Sequence, residues 1–368
     1  MKATYRLHDL GQSLWLDNIT RGLLTSGTLD RYIRDLSITG LTSNPTIFDQ
    51  ALRNTPSYDA VIRQKNAHTD QSTESLFFEL ALEDLTLAAD LFAPIHAATG
   101  GMDGWVSLEV SPLLATDTAA TIEAAVRLYR QAQRPNLFIK IPGTREGVVA
   151  IEEAIFAGVP VNVTLLFSRE HYMGAAEAYM RGIERRLAAG LDANIASVAS
   201  VFVSRWDAAI KDKVPAALHN RLGIAVAKRT YKAYRDLFAT PRWQRLAVAG
   251  ARPQRLLWAS TATKDPAAKD SLYLEALVAP NTINTVPEKT LLAFADHGAV
   301  SDVLATDGDD AERLLADFGA AGIDINALAA DLQREGTQSF IRSWRDLIDC
   351  VASKSAALTK TRPQGVAP

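Results

Sequence analysis

The 368-residue chain has one cysteine, Cys350, four methionines and only 7% aromatic residues. A lone cysteine permits neither an internal disulfide nor a cysteine-built metal site, and it fits a reducing compartment. An excess of either charge is also missing: 39 basic and 42 acidic side chains leave a net charge of −3. That balance gives no footing for nucleic acid or for an anionic membrane surface. No uncharged apolar stretch is long enough to span a bilayer. The nearest, residues 156–167, is interrupted by Gly158, Pro160, Asn162 and Thr164. Lys2, Arg6, His8 and Asp9 precede any apolar run, so no secretory segment is expected and a cytoplasmic protein is the default. The six histidines show no H-E-x-x-H spacing, and G-x-G-x-x-G does not occur, which argues against a zinc site and a dinucleotide-binding turn.

What is present is a repeated strand-then-helix pattern in a chain 48% apolar and 22% charged, ordinary values for a folded α/β protein. Strands are expected over Ser13–Asn18, Ile38–Asn44, Trp105–Val110, Leu137–Ile141, Val159–Leu166, Ala196–Val203, Leu256–Ala262 and Ile283–Val286. Helices are expected between them, among them Ser72–Leu91, Thr116–Gln133, Arg145–Phe156, Ser168–Ala189 and Ala267–Leu277. Eight such units imply parallel crossovers and suit a closed (β/α)8 TIM barrel, with a doubly wound open sheet as the rival. The chain is expected to form one barrel domain, 1–368, with a helical elaboration at about 205–255 and extra C-terminal helices at about 309–357, packed outside the barrel. The tail Thr359–Pro368 reads as frayed.

In such a barrel, reactive groups project from the C-terminal strand ends. Asp17 ends the first strand here, Thr42-Ser43-Asn44 the second, Glu109 the third and Lys140 the fourth. Asn162 and Thr164 share a face of the fifth, Ser200 and Phe202 a face of the sixth, with Arg205 just beyond; Ser260 lies in the seventh. Asn44 and Ser168, each before a helix, also read as ordinary N-caps. Lys140 taken singly also reads as a lysine snorkelling from a strand end or paired with a carboxylate. Charges inside a barrel must be paired or hydrated, however, and desolvation disfavours the charged amine. A lysine with two carboxylates suggests covalent carbonyl chemistry: the amine attacks a ketone, one carboxylate moves protons, and the other breaks a carbon–carbon bond. Arg205, Ser260 and the loop after the seventh strand suit a phosphate.

With these segments in view, the chain resembles the transaldolases, in particular their longer bacterial form. The resemblance is carried by Leu16-Asp17-Asn18, residues 40–48 (GLTSNPTIF), 106–111 (VSLEVS), 138–142 (FIKIP), 161–168 (VNVTLLFS), 258–261 (WAST) and 284–287 (NTVP). These occur in family order and cover most of the chain. The resemblance implies Lys140 as the Schiff-base residue and Asp17 as the acid/base for carbon–carbon cleavage. Glu109 would act with Thr164 through a water. Thr42, Asn44, Asn162 and Ser200 would hold sugar hydroxyls, and Arg205 and Ser260 the phosphate. A dihydroxyacetone unit would pass from sedoheptulose 7-phosphate to glyceraldehyde 3-phosphate, giving erythrose 4-phosphate and fructose 6-phosphate in the non-oxidative pentose phosphate pathway. No metal or organic cofactor is implied.

Two features depart from the family pattern. Ala262 stands where many transaldolases carry a second phosphate-binding arginine; Lys264 offers a point charge nearby but no bidentate fork. Residues 215–255 form an extra helical stretch between the sixth and seventh strands. The related fructose 6-phosphate aldolases tend to carry tyrosine at the position of Phe202, so the phenylalanine favours transfer over release of dihydroxyacetone. A catalytically silent sugar-phosphate binder is the alternative from another class, and the joint presence of Lys140, Glu109 and Asp17 argues against it. No isomerase fusion is expected, since the sequence ends at Pro368.

Overall fold

Short apolar runs that end at Gly, Pro, Asp or Asn form eight parallel strands, in a computed structural model that describes residues 2–68, 71–300 and 302–360. They are β1 (Ser13–Asp17), β2 (Ile38–Thr42), β3 (Trp105–Glu109), β4 (Leu137–Pro142), β5 (Val161–Leu166), β6 (Ser197–Phe202), β7 (Arg255–Ala259) and β8 (Ile283–Val286). Each pairs with the next, and β8 pairs with β1 in parallel register, which closes the barrel and removes the open-sheet rival. All eight expected strands are present, most of them trimmed by one or two residues at an end.

Alternation along each strand sends one set of side chains into the barrel and the other against the helices. At the N-terminal end the interior holds Trp15, Trp105 and Phe138, with the last two stacked at 4.0 Å between ring centroids. Gly40 is required beside them, because a Cβ there would lie 2.5 Å from the Trp15 indole. Below this layer a polar plug seals the barrel. Arg255 donates to Ser13 Oγ at 2.7 Å and to the Thr282 carbonyl at 2.9 Å. Asp103 accepts from Trp15 Nε1 at 2.8 Å and from the Ser13 hydroxyl. Aliphatic side chains on the other strand face bury against helices such as Thr73–Ala98, Arg145–Phe156 and Arg169–Ala188.

One helix is shorter than expected. The region Ala267–Leu277 yields only Leu272–Ala276. Upstream, Asp265 accepts the Ala267 N–H and Thr263 donates to the Lys269 carbonyl, so side chains capture the backbone groups a helix would need. The elaboration at about 205–255 resolves into Ser204–Ile210, Leu222–Phe238 and Pro241–Val248. The last helix, Ile325–Lys360, packs outside the barrel against Pro45–Asn54, Asp59–His68 and Thr73–Ala98, and its first half also reaches over the barrel end. It crosses the C-terminal mouth, where Gln333 donates at 3.0 Å to the carbonyls of both Gly143 and Leu165. Those strand-end carbonyls have no further strand to bond, and the helix supplies donors. Ala311–Ala320 lies outside, its face against Leu222–Phe238. Most of the tail read as frayed, 361–368, is outside the described residues. Among the described residues no helix is long and apolar enough to cross a membrane.

Candidate active site

Lys140 occupies the interior of β4 with its side chain buried, a placement set by the Phe138/Lys140/Pro142 parity of the strand. Its Nζ donates to the Ser43 carbonyl at 3.0 Å and lies 3.2 Å from Glu109 Oε2. Register explains the pairing, since Glu109 on β3 stands opposite Lys140, and Lys140 opposite Asn162 on β5. The lysine–carboxylate contact has the distance of an ion pair without hydrogen-bond geometry, and both Glu109 oxygens lack a hydrogen-bond partner among the described residues. Burial pushes the Glu109 carboxyl above its ordinary range, Lys140 opposes the shift, and the charge of Asp17 adds to it. A buried ion pair with unfilled lone pairs gives little stability for its desolvation cost, so its retention points to chemistry.

Asp17 ends β1 inside the same space. Thr42 donates to its Oδ1 at 2.7 Å, and the Thr42 and Thr285 hydroxyls lie 2.6 Å apart. Burial raises the Asp17 pKa as well, with Lys140 and the Thr42 hydroxyl acting in the opposite direction. Asn162 donates to Ser107 Oγ at 3.1 Å and accepts from Ser200 Oγ at 2.7 Å, which fixes the orientation of its amide. Thr164 is buried with an unpartnered hydroxyl among the described residues. Just past it Leu165 has φ 59°, and the β5–β6 register shifts between Val163 and Leu166. A bulge with a β-strand residue in the left-handed region is the kind of strain that collects at functional sites.

A cavity of about 150 Å³ opens above Lys140. Asp17, Thr42, Asn44, Lys140, Thr164, Ser200, Phe202, Arg205, Ser260 and Lys264 all line it. Glu109 and Asn162 reach it through their contacts with Lys140 and Ser200. Asn44 has two roles, because its side chain also caps Pro45–Asn54 by accepting from the Ile47 N–H at 3.1 Å. Ser168 is a cap only, to the His171 N–H. Arg205 is half-buried between the rings of Phe202 and Phe340, 5.1 and 5.9 Å from their centroids. Burial lowers its pKa, with Glu335 opposing. Ser260 follows β7 at φ 53°, its hydroxyl 3.0 Å from that of Ser204. Ala262 lines the cavity where a family arginine was expected, with Lys264 close by.

Sequence reasoning missed Phe340, Pro287 and the supporting roles of the Ser43 carbonyl and Ser107. Thr285, next to last in the eighth strand, was legible as a polar strand-end residue but was given no role. Phe340 was not legible, because it stands far along the chain in a helix whose path over the mouth is a tertiary fact. No group of three or more His, Cys, Asp or Glu side chains among the described residues is placed to hold a metal ion. The arrangement can bind a polyhydroxylated carbonyl compound with an anionic end. At its floor it offers an amine, two carboxyls held toward the protonated form and a free hydroxyl.

The sequence model of the Transaldolase/Fructose-6-phosphate aldolase family matches residues 14–351 of this chain. The transaldolase of Arthrobacter sp. (strain FB24) is 45% identical to it, over 97% of this chain and 98% of that protein. The transaldolase of Saccharopolyspora erythraea is 44% identical over 94% and 95%, and that of Thermobifida fusca 43% over 96% and 98%. The barrel, the cavity at its mouth and these matches agree: the chain belongs to the transaldolase/fructose-6-phosphate aldolase family.

Proposed function

We propose that this protein is a transaldolase in which Lys140 forms the Schiff base. It would carry a dihydroxyacetone unit from sedoheptulose 7-phosphate to glyceraldehyde 3-phosphate in the non-oxidative pentose phosphate pathway. The observation that carries the reading is the Lys140 amine held between the Ser43 carbonyl and Glu109 at the floor of a polar cavity. The whole chain acts as one barrel domain, working in the cytoplasm on sugar phosphates.

In the proposed cycle the amine attacks the ketone carbon and forms a carbinolamine. Glu109, with Thr164 and a water, moves the proton that lets hydroxide leave as water, giving an iminium. The unpartnered oxygens of Glu109 and Thr164 support that assignment. Asp17 takes the proton of the hydroxyl carried by the far carbon of the bond to be broken. That hydroxyl becomes the carbonyl of the departing aldehyde, and the bonding electrons move into the iminium as an enamine. A second aldehyde then adds by the reverse steps, and water frees the new ketose. Thr42, Asn44, Asn162 and Ser200 hold hydroxyls, while Arg205, Ser260 and Lys264 hold the phosphate, with Lys264 in place of the family arginine.

Transfer is favoured over release because Phe202 lines the cavity without a hydroxyl to position a protonating water. Borohydride reduction in the presence of fructose 6-phosphate, followed by peptide mass spectrometry, tests the chemistry. A three-carbon adduct on the Lys140 peptide is expected, and its absence from folded protein would overturn the mechanism. Phe202→Tyr is expected to raise dihydroxyacetone release in a coupled assay; unchanged release would remove the stated role of Phe202.

A further inference from the structure

The Arg205 guanidinium is flanked by two aromatic rings and, among the described residues, makes no hydrogen bond or ion pair within 4 Å, Glu335 acting on it only at longer range. Phe202 is its neighbour on the same β6-to-helix turn. Phe340 comes from Ile325–Lys360, the helix that crosses the mouth. Both rings lie at distances where a cation is attracted to a π face, and the attraction grows as the cation is withdrawn from water. The helix is seated so that this contact is reproducible. Gln333, Gly336 and Phe340, three and four residues apart, form one stripe on its surface. Gln333 ties the stripe to the carbonyls of Gly143 and Leu165. Gly336 allows the close approach: a Cβ there would lie 3.0 Å from Leu165 Cδ2 and 3.1 Å from Arg205 Nη1.

We propose that Phe340 is a positioning residue for the substrate phosphate. Its ring fixes the Arg205 guanidinium against Phe202 and leaves the N–H edge free for the anion, so that the last helix completes the phosphate site. This rests on the reading of Arg205 as a phosphate ligand. It adds that recognition of the phosphorylated end depends on an element outside the barrel strands and their loops, whereas the lysine chemistry does not.

Phe340→Leu keeps the apolar bulk and removes the π face, which makes it the first variant to test. The KM for fructose 6-phosphate is expected to rise about 3- to 10-fold, with kcat changed by less than about twofold. Borohydride capture of unphosphorylated dihydroxyacetone at Lys140 should be unchanged. Phe340→Tyr should restore the wild-type KM. Gly336→Ala would crowd Arg205 and Leu165, so it should raise KM as well. Inorganic phosphate binding, followed by thermal shift, gives a readout that needs no turnover and should weaken by a similar factor in Phe340→Leu. Unchanged phosphate binding and KM in Phe340→Leu would overturn the proposal. A parallel fall in dihydroxyacetone capture would do the same, because Phe340 would then only pack the site. Loss of capture in the wild type would instead count against the Schiff-base reading, while phosphate binding would still decide the role of Phe340.

Discussion

Asp17 shows at the level of one residue how function and stability oppose each other. Its carboxyl is held above the ordinary range by burial, so the folded protein binds its proton more tightly than the unfolded chain does. The stability gained from that proton is complete below the unfolded pKa, about 4, and is lost as pH rises through the folded value. Asp17→Asn is neutral at every pH. It should therefore melt above the wild type near neutral pH and level with it in acid, which calorimetry across pH would show. The same variant should still form the Lys140 adduct while turnover falls about 10²- to 10⁴-fold. Equal melting at both pH values, or full turnover, would contradict this account of Asp17. The residue was legible from its place at a strand end, whereas its environment was not, because the Thr42–Thr285 pair is assembled across the β1 closure of the barrel.

Among the elements, the stretch between β6 and β7 depends most on a single buried side chain. Leu222–Phe238 begins without a cap of its own, and Asp207, on Ser204–Ile210, accepts the N–H groups of Leu222 and Gly223 at 2.9 and 3.2 Å. Tyr273, beyond β7, donates to the same carboxylate at 2.8 Å. Asp207→Ala would leave three donors without their acceptor and should cost about 1–3 kcal/mol in urea denaturation. Because Arg205 lies in the first turn of the same short helix, KM for phosphorylated substrates should rise as well. A wild-type denaturation midpoint would show the cap to be dispensable. Helical periodicity in 205–238 announced the helices but not this cap, since Asp207 and Leu222 are brought together only by the fold.

Over the whole molecule, the site and the main polar plug of the barrel sit at opposite ends. Asp103, Ser13, Trp15 and Arg255 close the N-terminal end, far from the cavity above Lys140. Removing one partner of a buried charged network leaves the other uncompensated, so Asp103→Ala should destabilise the barrel by about 3–5 kcal/mol. The KM of the protein that remains folded should stay within about twofold. A large KM change with little loss of stability would show the two ends to be coupled more closely than their separation suggests.

Alternating strand and helix patterns, and polar residues where each apolar run stops, were enough to place eight strands and to bring Asp17, Glu109 and Lys140 to one rim. Those features are local: strand periodicity sets which side faces inward, and chain order sets the parallel crossovers. The tertiary structure alone decided that Glu109 meets Lys140 at 3.2 Å and that Thr285 supports Thr42. It also decided that the last helix turns back over the mouth to set Phe340 beside Arg205. Contacts of this kind join residues distant in sequence, and their geometry is fixed by register, barrel closure and packing, none of which leaves a periodic mark on the chain.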